Sequence, residues 1–256
     1  MDPAQLLLTV GLVTTRILGV IAIMPVFGMD GTSTIPKVLL GVGLAILIAP
    51  NLSVDLPAPT MAAFIVGIST EFLLGILLGG VVRILFDALA LAGQLVGTQT
   101  GQAAALQFDP TLNIAQGPLG RLATLLAAAV FVGNDLHLEL FIAVGESFNI
   151  VAPGGATNVL GASAHWIELS DVMIQTGFRL AVPVIVLVFL NNLFIASVMR
   201  LAPQMNIFFS LGFILTIFGG ELVYLLTLPH MLNEHQNALR EAMKSLWPVL
   251  ETAGGG

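Results

Sequence analysis

The chain contains no cysteine. Disulfides, thiolate metal sites and cysteine nucleophiles are therefore excluded. Charge is nearly as scarce: 9% of the 256 residues are charged, against roughly 25% in an ordinary soluble domain. Lys and Arg together number 8, the net charge is −7, and no basic run occurs. Nucleic-acid binding through phosphate neutralisation is thereby excluded. Enzyme signatures are missing as well. His137-Leu138-Glu139 lacks the second histidine of H-E-x-x-H and reads as an interfacial histidine. Gly161-Ala162-Ser163-Ala164-His165 is not a nucleophile elbow, which needs glycine at 165. No phosphate loop is present. No metal, no cofactor and no catalytic constellation is expected.

What the chain has is apolar surface. Hydrophobic residues make up 57% of it, more than a soluble domain of this length can hide. A bilayer removes that constraint, and the fold class expected is an all-α polytopic membrane protein of one domain. A spanning helix needs about 20 mostly apolar residues. The apolar segments are 4–27, 38–50, 60–82, 84–106, 119–133, 136–151, 172–199 and 207–228, and about five to eight helices are expected from them. Segment 38–50 is too short to span alone. Segments 119–133 and 136–151, split by Asn134-Asp135, read as one broken span, a re-entrant pair, or helices buried in an assembly. Met1-Asp2-Pro3 lacks a basic n-region, so the first segment reads as retained structure rather than a removable signal.

The connectors carry Gly and Pro, as at Gly28 to Ser33, Pro57 to Pro59 and Pro153 to Gly155. The last stretch differs. From His230 onward charge returns, and Leu232, Leu239, Met243, Leu246 and Leu250 recur at helical spacing. This predicts an amphipathic helix lying on a membrane or a partner. Arg240 and Lys244 favour a cytoplasmic tail under the positive-inside rule. The expected division is a helical membrane domain, 1–229, and an amphipathic tail, 230–256.

Four features stand out. Gly75 and Gly79 follow Glu71 on one helical face, and Gly93, Gly97 and Gly101 double that spacing. Small-residue faces let helix backbones approach closely, either within the chain or between subunits. Arg16 and Glu71 lie near the middle of apolar segments. A charge at mid-bilayer costs at least about 2.5–3.5 kcal/mol, so each needs a partner, a water-filled cavity or a place outside the hydrocarbon. Arg83 and Asp87 are four apart and suit a local salt bridge on one helix face. Third, a polar, broken stretch runs from Gln99 through Phe108-Asp109-Pro110-Thr111-Leu112-Asn113 to Gln116-Gly117-Pro118. It is either an ordinary solvent loop or irregular backbone beside a water-filled cavity. The fourth, Arg200-Leu201-Ala202-Pro203-Gln204-Met205-Asn206-Ile207-Phe208, reads by itself as a proline-containing helix connection with amide caps.

The order of these pieces resembles the FliR family of flagellar biosynthesis proteins, called SctT in injectisomes. The resemblance covers 4–228. It runs from Arg16, Met24-Pro25-Val26-Phe27-Gly28 and Ile35-Pro36, through Glu71, Gly75, Gly79, the Gly93 to Gly101 stretch and Phe108-Asp109-Pro110, to Pro183 and the string from Arg200. The family motif Pro203, Gln204, Met205, Asn206 and Phe208 is its most specific part. One departure is at Asn134-Asp135-Leu136-His137, where a glycine is expected just before the histidine.

The resemblance implies helical hairpins packed with FliP-like and FliQ-like subunits into a closed, helically arranged, hetero-oligomeric pore in the bacterial inner membrane, largely above the membrane plane. Unfolded exported proteins pass through it. It also implies a plug formed by the loop after the glycine-rich helix, here 106–122. Phe108, Asp109, Pro110, Leu112, Asn113 and Ile114 lie in that loop, with Phe108, Leu112 and Ile114 blocking the lumen and Gly117 and Pro118 permitting movement. Further partners implied are an FlhB-like switch protein and membrane lipids. The competing readings are an independent secondary transporter using Arg16, Glu71 or Arg83, and an intramembrane enzyme, for which no constellation is found.

Overall fold

The structure, a computed structural model of the chain, describes residues 3–27, 33–52, 60–102, 117–156, 158–201 and 212–255. Among them it is helical, with no strand. Helix α1, Pro3–Ile23, opens on a proline, whose missing N–H would be unpaired there anyway. It ends before Pro25, which disfavours helical backbone at the preceding residue. Helix α2, Thr34–Ile48, runs into a 3-10 turn, Ala49–Asn51. There Asn51 Nδ2 donates to the Leu47 carbonyl at 3.0 Å. Helix α3, Met61–Gln99, starts at Thr60, whose hydroxyl accepts the Ala63 N–H at 3.3 Å.

Helices α4, Pro118–Gly133, and α5, Leu136–Ile150, form a bent pair. The break is at Asn134-Asp135, where Asp135 takes φ 58°. The turn at which glycine was expected thus places its left-handed residue on Asp135, a residue type whose short polar side chain tolerates that conformation. A short helix α6, Val159–Ala162, is capped by Asn158, whose Oδ1 accepts the Gly161 N–H at 3.0 Å. Helices α7, Ala164–Leu201, α8, Phe213–Lys244, and α9, Leu246–Gly254, complete the order.

By packing, the chain divides into two units. The first comprises Met1–Leu85, Phe131–Asp171 and Leu239–Gly256, and the second Phe86–Val130 and Val172–Ala238. In the first, Val13, Ile17 and Val20 of α1, Leu74 and Leu78 of α3, and Leu136 and Leu140 of α5 are buried. Helix α1 packs on α2, and α9 on α5 and α6. The second buries Phe86, Leu89 and Val96 of α3, Ala123 and Ala127 of α4, Val184 and Val188 of α7, and Tyr224 of α8.

Segments 60–82 and 84–106, read separately, are joined across Arg83 in one helix, Met61–Gln99, of 39 residues. Arg83 does not interrupt it, because a lone cation in a stretch free of proline leaves the backbone ladder intact. At about 1.5 Å per residue α3 is about 58 Å long, roughly twice the hydrocarbon thickness of a bilayer. Helix α7 also begins earlier than expected, since Trp166 and Leu169 continue its apolar face toward the start, and it runs through Pro183. Helix α8 runs through Pro229, so the division expected at 229/230 falls inside one helix. The tail's apolar face is turned inward, with Leu239, Leu246 and Leu250 buried and Leu232 and Met243 half-buried. Among the described residues, five helices are long and apolar enough to cross a bilayer, and the bent pair α4 and α5 makes a sixth if it is one span.

Candidate functional site

Among the described residues, two charged side chains are buried in the first unit. Arg16 of α1 and Glu71 of α3 are both wholly buried. The guanidinium addresses the carboxylate side-on, Nε to Oε2 at 2.6 Å and Nη2 to Oε1 at 3.0 Å. The remaining donors reach α5 and the turn after it: Nη1 donates to Ser147 Oγ at 3.0 Å, and Nη2 also donates to the Val151 carbonyl at 2.9 Å. The Gly154 N–H donates to Glu71 Oε1 at 2.8 Å. Gly154 takes φ 78°, open to glycine without steric cost. The Phe148 ring lies 4.2 Å from the guanidinium carbon, within cation–π range. Four of the five arginine N–H groups are thus used. A buried pair is tolerated when the leftover donors and acceptors find partners, and this one ties α1, α3, α5 and the 151–154 turn together.

Glycine lets the two helices carrying the pair come close enough. A Cβ at Gly75 would fall 2.1 Å from the Arg16 carbonyl oxygen, and one at Gly79 would fall 2.8 Å from the Val20 carbonyl oxygen. On the α1 side, a Cβ at Gly19 would fall 2.5 Å from the Phe72 carbonyl oxygen. In this chain these contacts are intramolecular. Gly80 is used differently: the Trp166 ring lies where its Cβ would be, 2.1 Å from Cζ2, and Trp166 Nε1 donates to the Leu77 carbonyl at 3.0 Å.

In the second unit, Gly93 meets α4, its Cβ position lying 2.6 Å from the Leu119 carbonyl oxygen and 2.6 Å from Ala123 Cβ. Gly97 has room, its nearest neighbour at 3.6 Å. Gly101 comes four residues after Gly97. It lies past the end of α3 with φ 82°, the left-handed residue that commonly follows a helix C-terminus. Beside it the Thr100 methyl fits against Gly220, and Gln102 Nε2 donates to Glu221 Oε1 at 3.0 Å. Arg83 and Asp87 are half-buried on α3. Among the described residues nothing lies within 4 Å of a Cβ at Gly117, just before Pro118, the first residue of α4.

The other plug residues, Phe108, Asp109, Pro110, Leu112, Asn113 and Ile114, and the motif Pro203, Gln204, Met205, Asn206 and Phe208, lie outside the described residues. Sequence reasoning singled out Arg16 and Glu71 but missed their partners. Ser147 and Val151 are 131 and 135 positions from Arg16, and a serine or a main-chain carbonyl carries no distinguishing pattern. It also missed His235. That ring is buried, edge-on to Phe86 at 6.3 Å between centroids, with no hydrogen-bond partner for either nitrogen among the described residues.

The long apolar helices and the sealed ion pair define an all-α membrane protein whose buried charge is structural in its contacts. The family model described as bacterial export proteins, family 1, matches residues 7–242. The chain belongs to that family. It is 30% identical over 214 residues to flagellar biosynthetic protein FliR of Pectobacterium carotovorum subsp. carotovorum, covering 84% of this chain and 82% of that one. To flagellar biosynthetic protein FliR of Escherichia coli (strain K12) it is 28% identical over 242 residues, covering 90% and 91%. To Yop proteins translocation protein T of Yersinia pestis it is 31% identical over 146 residues, 55% of each chain.

Proposed function

We propose that this protein is a non-enzymatic core subunit of a flagellar protein-export gate in the bacterial inner membrane. With FliP-like and FliQ-like subunits and an FlhB-like switch protein it forms the pore through which unfolded proteins leave the cytoplasm. Segment 106–122 plugs the closed pore. The observation that carries the proposal is the family match over 7–242. Extent supports the flagellar reading over the injectisome one: two of the flagellar relatives are matched over 82% and 91% of their length, the Yop protein over 55%.

The surface supports an assembled state. Helices α7 and α8 expose large apolar side chains, Phe194 at 62% and Phe218 at 67% among them. Large apolar side chains exposed to this degree along two helices call for lipid or protein cover. Helices α3 and α7, at 39 and 38 residues, outrun a bilayer, which supports a position partly on the periplasmic side with neighbouring subunits covering the excess. The transporter reading loses its best site, because Arg16 and Glu71 are wholly buried and satisfied by one another and by α5.

The test is affinity purification from native membranes in mild detergent, with mass spectrometry of what co-elutes. Recovery of FliP-like and FliQ-like proteins in one large complex is the expected result. A monomer or homodimer that transports a solute alone refutes the proposal.

A further inference from the structure

Within the second unit, the two sides of α3 differ in kind. Its buried positions are apolar or glycine, as at Leu89, Ala92, Gly93 and Val96. The opposite side carries Gln94 and Thr98, both exposed, below a half-buried Asp87; Gln99, also exposed, is the last residue of α3 and lies about 100° round the helix from Thr98. Asp87, Gln94 and Thr98 stand at i, i+7 and i+11, which is one face of a helix of 3.6 residues per turn. Helices α7 and α8 do the reverse and expose Phe189, Leu190, Phe218 and Leu222. In a chain with 9% charged residues, a polar face on one helix and apolar faces on its neighbours select two different surroundings. Helix α4 extends the polar face: Gly120 lies against the Gln94 backbone, with its Cβ position 3.6 Å from the Gln94 Cα, and the next residue, Arg121, is exposed.

Resting on the export-gate reading, we infer that this face, Gln94 and Thr98 with Arg121 at its flank, is a wetted wall of the export path and touches the main chain of the passing polypeptide. Amides exposed to hydrocarbon are penalised for every unmade hydrogen bond, whereas water satisfies them. Carboxamides offer donors and acceptors together, the complement of a peptide group whatever its side chain. Thr98 donates to the Leu95 carbonyl at 2.7 Å, which leaves its oxygen's acceptor capacity free. Such a wall binds any unfolded sequence weakly and releases it, as conduction requires. The face runs to the end of α3, four residues before segment 103–116, where the gate reading places most of the plug.

The absence of cysteine makes a direct test clean. Gln94→Cys and Thr98→Cys report the polar face, Leu190→Cys and Phe218→Cys the apolar one, and Gly117→Cys the plug segment. Each is exposed to a charged, membrane-impermeant thiosulfonate in native membranes holding the assembled gate. The reaction is run with and without an export substrate stalled by a fused folded domain. Positions 94 and 98 are expected to react at least about tenfold faster than 190 and 218, as thiolate reactivity follows a wet environment, and the stalled substrate is expected to slow both. Slow reaction at 94 and 98 means that neighbouring protein covers the face, and overturns the inference. Fast reaction that the substrate does not slow, with Gly117→Cys protected, also overturns it but leaves the gate reading standing. Fast, unprotected reaction at 94, 98 and 117 together overturns both. If one of the two polar-face variants fails to assemble, the other reads the face.

Discussion

Arg16 and Glu71, 55 positions apart, meet with 2.6 Å between Nε and Oε2 and no exposure of either side chain. Each charge is tolerated only because the other is there. Removing one leaves its partner buried and unpaired, which costs about 3–5 kcal/mol. Replacing both by apolar groups of similar volume is close to neutral.

Arg16→Met and Glu71→Leu are therefore expected each to lower the yield and melting temperature of the purified complex, and the double variant to recover most of the loss. A double-mutant cycle on thermal stability checks this. Additive losses would show that the pair is not a coupled unit.

Gly75 and Gly11 make a matched contrast on neighbouring helices. A Cβ at Gly75 falls 2.1 Å from a main-chain oxygen of α1, while nothing lies within 4 Å of one at Gly11. Gly75→Ala is expected to force α1 and α3 apart, at a cost of at least about 1–3 kcal/mol. Gly11→Ala is expected to stabilise its helix by about 0.5–1 kcal/mol. Melting curves of the two variants should shift in opposite directions. A destabilised Gly11→Ala would instead reveal a partner seated against that face.

The Trp166 ring occupies the space in front of Gly80 and donates its N–H to the Leu77 carbonyl. Gly80→Ala alone is expected to displace the ring and break that bond. Combined with Trp166→Leu, which frees the space, it should cost less than the two losses summed, because residues in contact are non-additive. Thermal melting of the three variants decides it.

How far the sequence discloses this protein depends on which physical signal each part carries. Apolar segments long enough to span are visible because they are continuous, and Arg16 and Glu71 because charge interrupts them. That the two are each other's partner is not visible: no local spacing relates α1 to α3, and only the packed helices bring them together. The lengths of α3 and α7 were underestimated for another reason. A charge such as Arg83 reads as punctuation, yet α3 continues past it, and the charged Glu168 and Asp171 conceal the first turns of α7, which segment 172–199 leaves out. Gly101 illustrates the reverse. Its four-residue spacing from Gly97 suggests a contact face, whereas its backbone conformation makes it a helix terminator.

The plug assignment yields the last prediction. Phe108, Leu112 and Ile114 are apolar side chains in a segment otherwise rich in polar and turn residues, and an apolar constriction closes a pore by excluding water. Among the described residues nothing lies within 4 Å of a Cβ at Gly117, and its bond to α4, the Arg121 N–H donating to its carbonyl at 3.0 Å, is a main-chain bond that whichever residue precedes Pro118 after shortening can supply. Deleting residues 113–117 is expected to leave the complex assembled and to raise its conductance to small ions in planar bilayers. Replacing Phe108, Leu112 and Ile114 together by serine, at unchanged length, should raise it too, because wetting rather than length is then altered. The two variants separate a dewetted constriction from a mere tether. Leak in the deletion alone would mean that the segment blocks by bulk, and unchanged conductance in both assembled variants would remove the plug from 106–122.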